Sequence, residues 1–254
     1  MLMDISRPPP GGFCPGRAIS YQHWYQVLDT EMGTYLPRFN ACSACIRNLK
    51  ILMPSLRESF AQSTVKQEWI CDFETDSPRF VQYVDLLDAA ANRAGSKGSS
   101  PPDISDFLDY AYRKGTFRDC RLDRQVVSTW HFIPQLPELT VCEDCYDDVI
   151  SPLARAKKPI ARMFSSTLRL LPGQDGATRC REASCQLYSP RMRTKFREAV
   201  LKNDFGMLEF IALNRFEAEQ QYLDRREELM DDEELGYDCD LDFRVNLEEW
   251  RKWE

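Results

Sequence analysis

The feature that most constrains this chain is a Cys-x-x-Cys motif that occurs twice in matching contexts. The first motif is Cys42 and Cys45, and the second is Cys142 and Cys145, 100 residues later. A Leu-Pro pair stands at the same distance before each motif. Two thiols three positions apart, at the start of a predicted helix, are typical of a knuckle that holds one side of a metal ion. The chain is therefore predicted to carry two metal centres.

The flanking cysteines repeat in the same way. Each half has a cysteine ten residues before a tryptophan, and another cysteine shortly before a Ser-Pro-Arg triplet. This agreement of several elements in one order predicts an internal duplication. The two predicted ligand sets are Cys14, Cys42, Cys45 and Cys71 in the first half, and Cys120, Cys142, Cys145 and Cys185 in the second.

Other residues compete for places in these sets. Cys180 forms a Cys-x4-Cys pair with Cys185 and could replace Cys120, although it has no counterpart in the first half. Cys239 also lacks a counterpart and is expected to be a free thiol. The two histidines, His23 and His131, each adjoin a tryptophan. Either could replace a cysteine, but a hydrogen-bonded histidine beside an aromatic core residue is the favoured interpretation.

Four thiolates in each set favour closed, tetrahedral, structural zinc sites, and hence two Zn²⁺ ions as cofactors. The arrangement resembles the general logic of treble-clef and zinc-ribbon modules. The ten cysteines support metal rather than disulfides, because residues 1–17 lack the apolar segment of a secretory signal. We therefore expect a cytoplasmic or nuclear protein in which metal-binding energy contributes to folding.

The expected fold is mainly α-helical, with small irregular or β zinc-knuckle elements, in two pseudo-repeated zinc-stabilised lobes. We predict helices over residues 18–33, 79–94, 104–114 and 191–235, and the last of these is expected to break near Asn203. A further helical run is predicted from 146 to 164, with a break near Pro159. The predicted segments are a disordered lead-in at 1–12, a first repeat at 13–94, a linker at 95–103, a second repeat with a long C-terminal helix at 104–226, and an acidic tail at 227–254.

Charge bears on the choice of partner. The net charge is -7, and residues 227–242 contain nine carboxylates and no Lys or Arg, so the remainder sums to +2. A net-acidic chain is a poor nucleic-acid binder by default, although a basic helix face at Arg191, Arg193 and Lys195 keeps that alternative open. No apolar run approaches the ~20 residues that span a bilayer. A protein partner is favoured, and no membrane association is expected.

No catalytic constellation is apparent. The sequence contains no Gly-x-Ser-x-Gly, no phosphate-binding glycine loop and no His-Glu-x-x-His. Asp238, Asp240, Asp242 and Glu249 have the spacing of an EF-hand loop, but Phe243 replaces the glycine that its turn requires. We therefore predict no catalytic residues and a non-enzymatic protein, with a metal-dependent enzyme as a lesser alternative.

One resemblance adds to this interpretation. The string from Cys185 to Arg193, the string from Trp130 to Pro134 and the Leu-Pro-x4-Cys-x-x-Cys element resemble a group of uncharacterised filamentous-fungal cysteine-rich proteins. The resemblance is clearest over residues 117–215. It implies no known activity and transfers no catalytic residue. The expected function is an intracellular zinc-binding protein that acts as a protein-interaction or scaffold module, with a nucleic-acid-associated zinc protein as the alternative.

Overall fold

The computed structural model of the protein describes most of the chain. The described residues are 12–21, 24–29, 33–64, 66–75, 77, 79–97, 102–171 and 180–254. About half of these residues are helical, and the strands are short. The chain divides into two compact units, Met1–Arg118 and Asp119–Glu254, which we call the N-terminal and the C-terminal unit. His23, Pro78, most of the predicted lead-in and part of the predicted linker lie outside the described residues.

The N-terminal unit begins with short antiparallel strands. These are β1 (Ile19–Tyr21), β2 (Tyr25–Asp29), β3 (Thr34–Tyr35), β4 (Phe60–Gln62) and β5 (Gln67–Trp69). Strand β2 lies between β3 and β4, with Val27 opposite Phe60, while β1 pairs with β5. The predicted helix over 18–33 is therefore wrong in the described part of that range. Aromatic and β-branched residues such as Tyr25 and Val27 favour strands once distant partners are available.

The described part of the N-terminal unit also contains three helices. They are α1 (Ser43–Leu52), α2 (Phe80–Lys97) and α3 (Ser105–Lys114), with a 3₁₀ turn at Pro54–Leu56. Helix α3 packs in this unit because Phe107, which is fully buried, makes an edge-to-face contact with Phe39 at 5.5 Å between ring centroids. From the sequence, we expected the segment that forms α3 to belong to the second repeat, after a linker at 95–103. The unit boundary instead follows Arg118.

The C-terminal unit is built on a β-hairpin and long helices. Strand β6 (Thr129–Ile133) pairs with β7 (Leu136–Val141) on one side and with β8 (Arg169–Leu170) on the other. Helix α4 (Glu143–Cys145) continues as a π-helical turn, Tyr146–Ile150, and as α5 (Ser151–Arg155), followed by a 3₁₀ turn at Ile160–Met163. The helical run predicted from 146 to 164 is therefore present with its break near Pro159, and it combines π-helical, α-helical and 3₁₀ turns.

The last three helices are α6 (Pro190–Lys202), α7 (Phe205–Glu234) and α8 (Asp240–Arg251). The break predicted near Asn203 is present because Asn203 adopts a left-handed conformation at φ 53°. The Asp204 side chain then caps α7 by accepting a hydrogen bond from the Met207 amide at 2.8 Å. The acidic stretch predicted to be a tail from 227 is helical on both sides of a short turn.

Candidate metal centres

The first group of cysteines is assembled by strands and one helix of the N-terminal unit. It consists of Cys14, Cys42, Cys45 and Cys71, whose sulfur atoms all lie within 4.8 Å of one another. The pairing of Ile19 with Trp69 brings the segments that carry the first and the last cysteine together. Four thiolates at about 2.3 Å from a central ion would be roughly 3.8 Å apart, so this spacing fits tetrahedral coordination with little rearrangement.

A backbone amide at the start of the first knuckle contacts one of these sulfur atoms. Cys42 stands just before α1 in an extended conformation, and its backbone N–H donates to Cys71 Sγ at 3.3 Å. This donor stabilises the sulfur as a thiolate, and the N-terminal end of the helix adds partial positive charge. The backbone of the knuckle therefore favours an anionic ligand at the position where a metal ion would need one.

Crowding perturbs the thiols of the first group in opposite directions. Hydrogen bonds with Cys42, Cys45 and Cys71 hold the pKa of Cys14 far below its ordinary value. Hydrogen bonds with Cys14 and Cys42 raise the pKa of Cys45 well above its ordinary value. Thiols this close cannot all ionise in the absence of a cation, because like charges repel. A bound cation would remove that conflict.

The second group belongs to the C-terminal unit, and its fourth member is Cys120 rather than Cys180. The sulfur atoms of Cys120, Cys142, Cys145 and Cys185 lie within 4.8 Å of one another. Cys180 is half-buried and lies outside this group. Cys185 is fully buried, and this burial, together with the neighbouring cysteines, raises its pKa well above the ordinary value.

The two groups share the same local geometry. In the C-terminal unit the Cys142 N–H donates to Cys185 Sγ at 3.4 Å, as Cys42 does to Cys71 in the other unit. The residue before each knuckle also pairs antiparallel with the residue after a buried tryptophan. These pairs are Tyr25 with Ala41 and His131 with Val141. In both units, therefore, an antiparallel bridge next to a buried tryptophan positions the residue just before the knuckle. In the C-terminal unit this bridge belongs to the β6–β7 hairpin, and in the N-terminal unit it is isolated.

An arginine contacts the second group. Arg193 Nη2 donates to Cys145 Sγ at 3.3 Å, and its Nε donates to the Leu187 carbonyl at 2.7 Å. Burial, the largest single effect, opposes the charge of Arg193, but Cys145, Asp148 and Cys185 together raise the pKa of the guanidinium above its ordinary value. From the sequence, this arginine was expected on a solvated helix face, with a contact to phosphates as the alternative. Its position in the first turns of the helix after Cys185 is the signal that could have indicated a contact with the metal centre.

A buried polar network holds the loop that carries Cys185. The carboxylate of Glu219 accepts hydrogen bonds from Ser184 Oγ at 2.5 Å and from Gln186 Nε2 at 2.8 Å, so it binds the residues on both sides of the cysteine. It also accepts from Gln125 Nε2 at 2.9 Å. Burial raises the pKa of Glu219, against the effect of these donors and of Arg215. Pattern analysis of the sequence did not identify this network.

The segment that follows α8 is fastened to the same region. The Arg215 guanidinium lies 4.6 Å from the centroid of the Trp250 ring, and its Nη1 donates to the Trp253 carbonyl at 2.8 Å. Ser189 Oγ donates to the Glu254 carbonyl at 2.8 Å. The predicted acidic tail is therefore packed against the core of its unit through its last residues.

The remaining candidates lie outside both cysteine groups. His131 stacks on Tyr146 at 3.9 Å between ring centroids, and its Nδ1 is 2.8 Å from the Ser165 carbonyl oxygen. Because a carbonyl only accepts, that nitrogen carries the proton, and burial lowers the pKa of the ring. Cys239 is buried just before α8. Glu249 lies within α8, so residues 238–249 do not form an EF-hand loop.

Two further findings concern membrane-spanning helices and similarity to known proteins. Among the described residues, no helix is both long and apolar enough to span a bilayer. The resemblance to fungal cysteine-rich proteins stays a prediction. Comparison of the chain with protein-family models, with curated proteins and with solved structures finds no match.

Proposed function

We propose that this protein is a non-enzymatic zinc protein with two four-cysteine sites. Each site holds the fold of its own unit in place, and the folded units interact with other proteins. The observation that carries the proposal is the convergence of four sulfur atoms within 4.8 Å in each unit. Each set is drawn from segments far apart in sequence, so a bound ion would close long loops. Structural metal sites of this kind contribute their binding energy to folding.

The donor set supports zinc as the metal. Four cysteine thiolates in tetrahedral geometry suit zinc or an iron–sulfur centre, whereas oxygen-preferring cations such as Mg²⁺ and Ca²⁺ are disfavoured. The two alternatives are separable by absorption, since zinc–thiolate sites are colourless in the visible range. A visible absorption band in purified protein would exclude zinc as the resident metal.

The sites are proposed to be structural because four thiolates fill the coordination sphere. A catalytic zinc keeps one position for water or substrate. His131, the described histidine nearest in sequence to a knuckle, is committed to Ser165 and Tyr146 rather than to a sulfur group. His131 is therefore not a member of either sulfur group.

We attribute the matched geometry of the two units to an internal duplication. The support is the recurrence of the amide-to-sulfur hydrogen bond, at 3.3 Å for Cys42 to Cys71 and 3.4 Å for Cys142 to Cys185. The antiparallel pair that precedes each knuckle also recurs. Equivalent contacts at equivalent sequence positions are the expected result of copying one module.

The basic residues of α6 favour a protein partner over a nucleic acid. Arg193 is bound to the sulfur of Cys145, and Lys195 pairs with Glu198 at 3.2 Å. Arg191 donates to the Lys252 carbonyl and lies 5.8 Å from the centroid of the Trp253 ring. These side chains are engaged within the unit, so binding phosphates would require several internal contacts to be exchanged.

A reducing compartment, cytoplasm or nucleus, suits the free thiols.

A single substitution tests the structural role of the metal. Cys142→Ser removes one sulfur from the second group, and we expect the C-terminal unit to lose both its ion and its protection from amide hydrogen exchange. Cys180→Ser, a matched change outside the group, is expected to leave both unaffected. A Cys142→Ser protein that loses the ion yet keeps native exchange protection throughout the C-terminal unit would contradict a structural site.

A further inference from the structure

The turn between α7 and α8 exposes several large apolar side chains. We call residues 230–245 the hairpin tip. Within it, Leu235 is 76% exposed, and Tyr237 and Leu241 are each 66% exposed. Leu241 and Val245 are one helical turn apart, so they lie on the same side of α8. Apolar residues clustered around one exposed turn are more informative than apolar residues scattered singly over a surface.

The hairpin itself is well anchored, so this exposure does not reflect a loosely held segment. Leu229 and Cys239, on either side of the turn, are buried. Trp250 stacks on Tyr222 with 5.5 Å between ring centroids, and Asn246 Nδ2 donates to the Tyr222 carbonyl at 3.0 Å. One side of the hairpin therefore packs inward, and the described part of the unit leaves Leu235, Tyr237, Leu241 and Val245 open to solvent.

The charge around these apolar residues defines what could bind them. Residues 227–242 carry nine carboxylates and no Lys or Arg. Three cations adjoin this stretch: Arg225 and Arg226 precede it, with Arg225 paired to Glu228 at 2.9 Å, and Arg244 lies within the hairpin tip. The carboxylates still outnumber the cations. A surface with this charge repels nucleic-acid phosphates and anionic lipid, and it attracts lysine and arginine side chains. An apolar centre surrounded by a charged rim is the usual composition of a protein interface.

We propose that the hairpin tip is a docking surface for a basic, amphipathic segment of another protein. The apolar side of that segment would cover Leu235, Tyr237 and Leu241, while its cations would face the surrounding carboxylates. The inference rests on the proposed role of the chain as an interaction module, and it gives that module a surface and a partner chemistry. Recognition of an amphipathic helix by an apolar face with a complementary rim is a common mode of peptide binding.

The test is titration of the full-length, metal-loaded protein into a fluorescently labelled synthetic helix of lysine and leucine. Binding is expected, and it should weaken between about 0.1 M and about 1 M salt, as the screening length falls from about 10 Å to about 3 Å. The double substitution Leu241→Ser and Val245→Ser should weaken binding by about tenfold at either salt concentration, because it removes the apolar contact area. Asp231→Asn with Glu233→Gln and Glu234→Gln should weaken binding mainly at low salt.

Matched controls separate this surface from general stickiness. Phe210→Ser changes another strongly exposed apolar residue of α7 outside the hairpin tip, and it should leave the affinity unchanged. A peptide with glutamate in place of lysine should not bind. Equal affinity of the wild-type protein and the Leu241→Ser, Val245→Ser protein would overturn the proposal, as would the absence of binding at both salt concentrations.

Two further measurements identify other outcomes. Sedimentation of the free protein would overturn the proposal if it shows self-association that the Leu241→Ser, Val245→Ser protein loses, because the occupant would then be a second copy. Metal content is determined on the same samples. If the protein retains two ions but does not bind the peptide, the docking surface alone is refuted. If the ions are missing, the proposed function is refuted.

Discussion

Replacement of Arg193 by alanine should make the second metal centre release its ion faster, and should leave the first unaffected. The guanidinium donates to Cys145 Sγ at 3.3 Å, whereas in the first group the corresponding Cys45 Sγ donates to the Phe73 carbonyl at 3.5 Å. A hydrogen bond to a charged partner contributes about 1.5–3 kcal/mol. Because Arg193 is only half-buried, we take the lower end, about 1.5 kcal/mol, which corresponds to roughly a tenfold change in metal affinity.

The assay is the rate at which a colorimetric chelator removes metal from the protein. Two release phases are expected, one for each centre, and a Cys14→Ser background identifies the phase that belongs to the second. Arg193→Ala should accelerate that phase by about tenfold. Arg193→Lys is the matched control. It keeps the charge but loses the planar group that also bonds the Leu187 carbonyl, so it should give an intermediate rate.

Two results would refute this reasoning. Release from the second centre at an unchanged rate would show that the contact with Cys145 does not stabilise the bound state. Equal acceleration of both phases would show that the substitution acts on the protein as a whole rather than on one centre.

Three further substitutions test other parts of the structure. Glu219→Ala leaves three donors without their acceptor and should destabilise the C-terminal unit by about 3 kcal/mol in urea unfolding, whereas Glu217→Ala, at an exposed position of the same helix, should have little effect. Phe107→Ala should destabilise the N-terminal unit by about 3–5 kcal/mol, as judged by hydrogen exchange, and an unchanged unit would show that α3 does not belong to its core. Cys120→Ser should remove one metal ion per chain by elemental analysis and Cys180→Ser none; the reverse result would contradict the observed sulfur group.

The parts of the fold that follow from local signals could be read from the sequence. Ser189 accepts the Met192 amide hydrogen bond at the start of α6, and Asn203 and Asp204 end that helix and cap the next. The grouping of Cys120 with the second knuckle required a comparison of the two halves, since Cys180 lies closer in sequence to Cys185. Repetition within the chain supplied the long-range information that spacing alone lacks.

The parts that depend on distant partners could not be read in this way. Residues 18–33 contain apolar residues at helical spacing, but Val27 is paired with Phe60 in a sheet. In α7, the residues buried after Ala212 include Arg215 and Glu219, whereas the apolar residues Phe216 and Leu223 are only partly buried. A hydropathy pattern predicts that charged residues are exposed. Arg215 and Glu219 are buried here because Gln186, Ser184 and Trp253 provide their hydrogen-bond partners.

X-ray absorption at the zinc edge tests the central claim most directly, because it reports the atoms bound to the metal. The account predicts two zinc ions per chain, each surrounded by four sulfur atoms at about 2.3 Å. Nitrogen or oxygen in the first coordination shell of either ion, or a metal content well below two ions per chain, would contradict it.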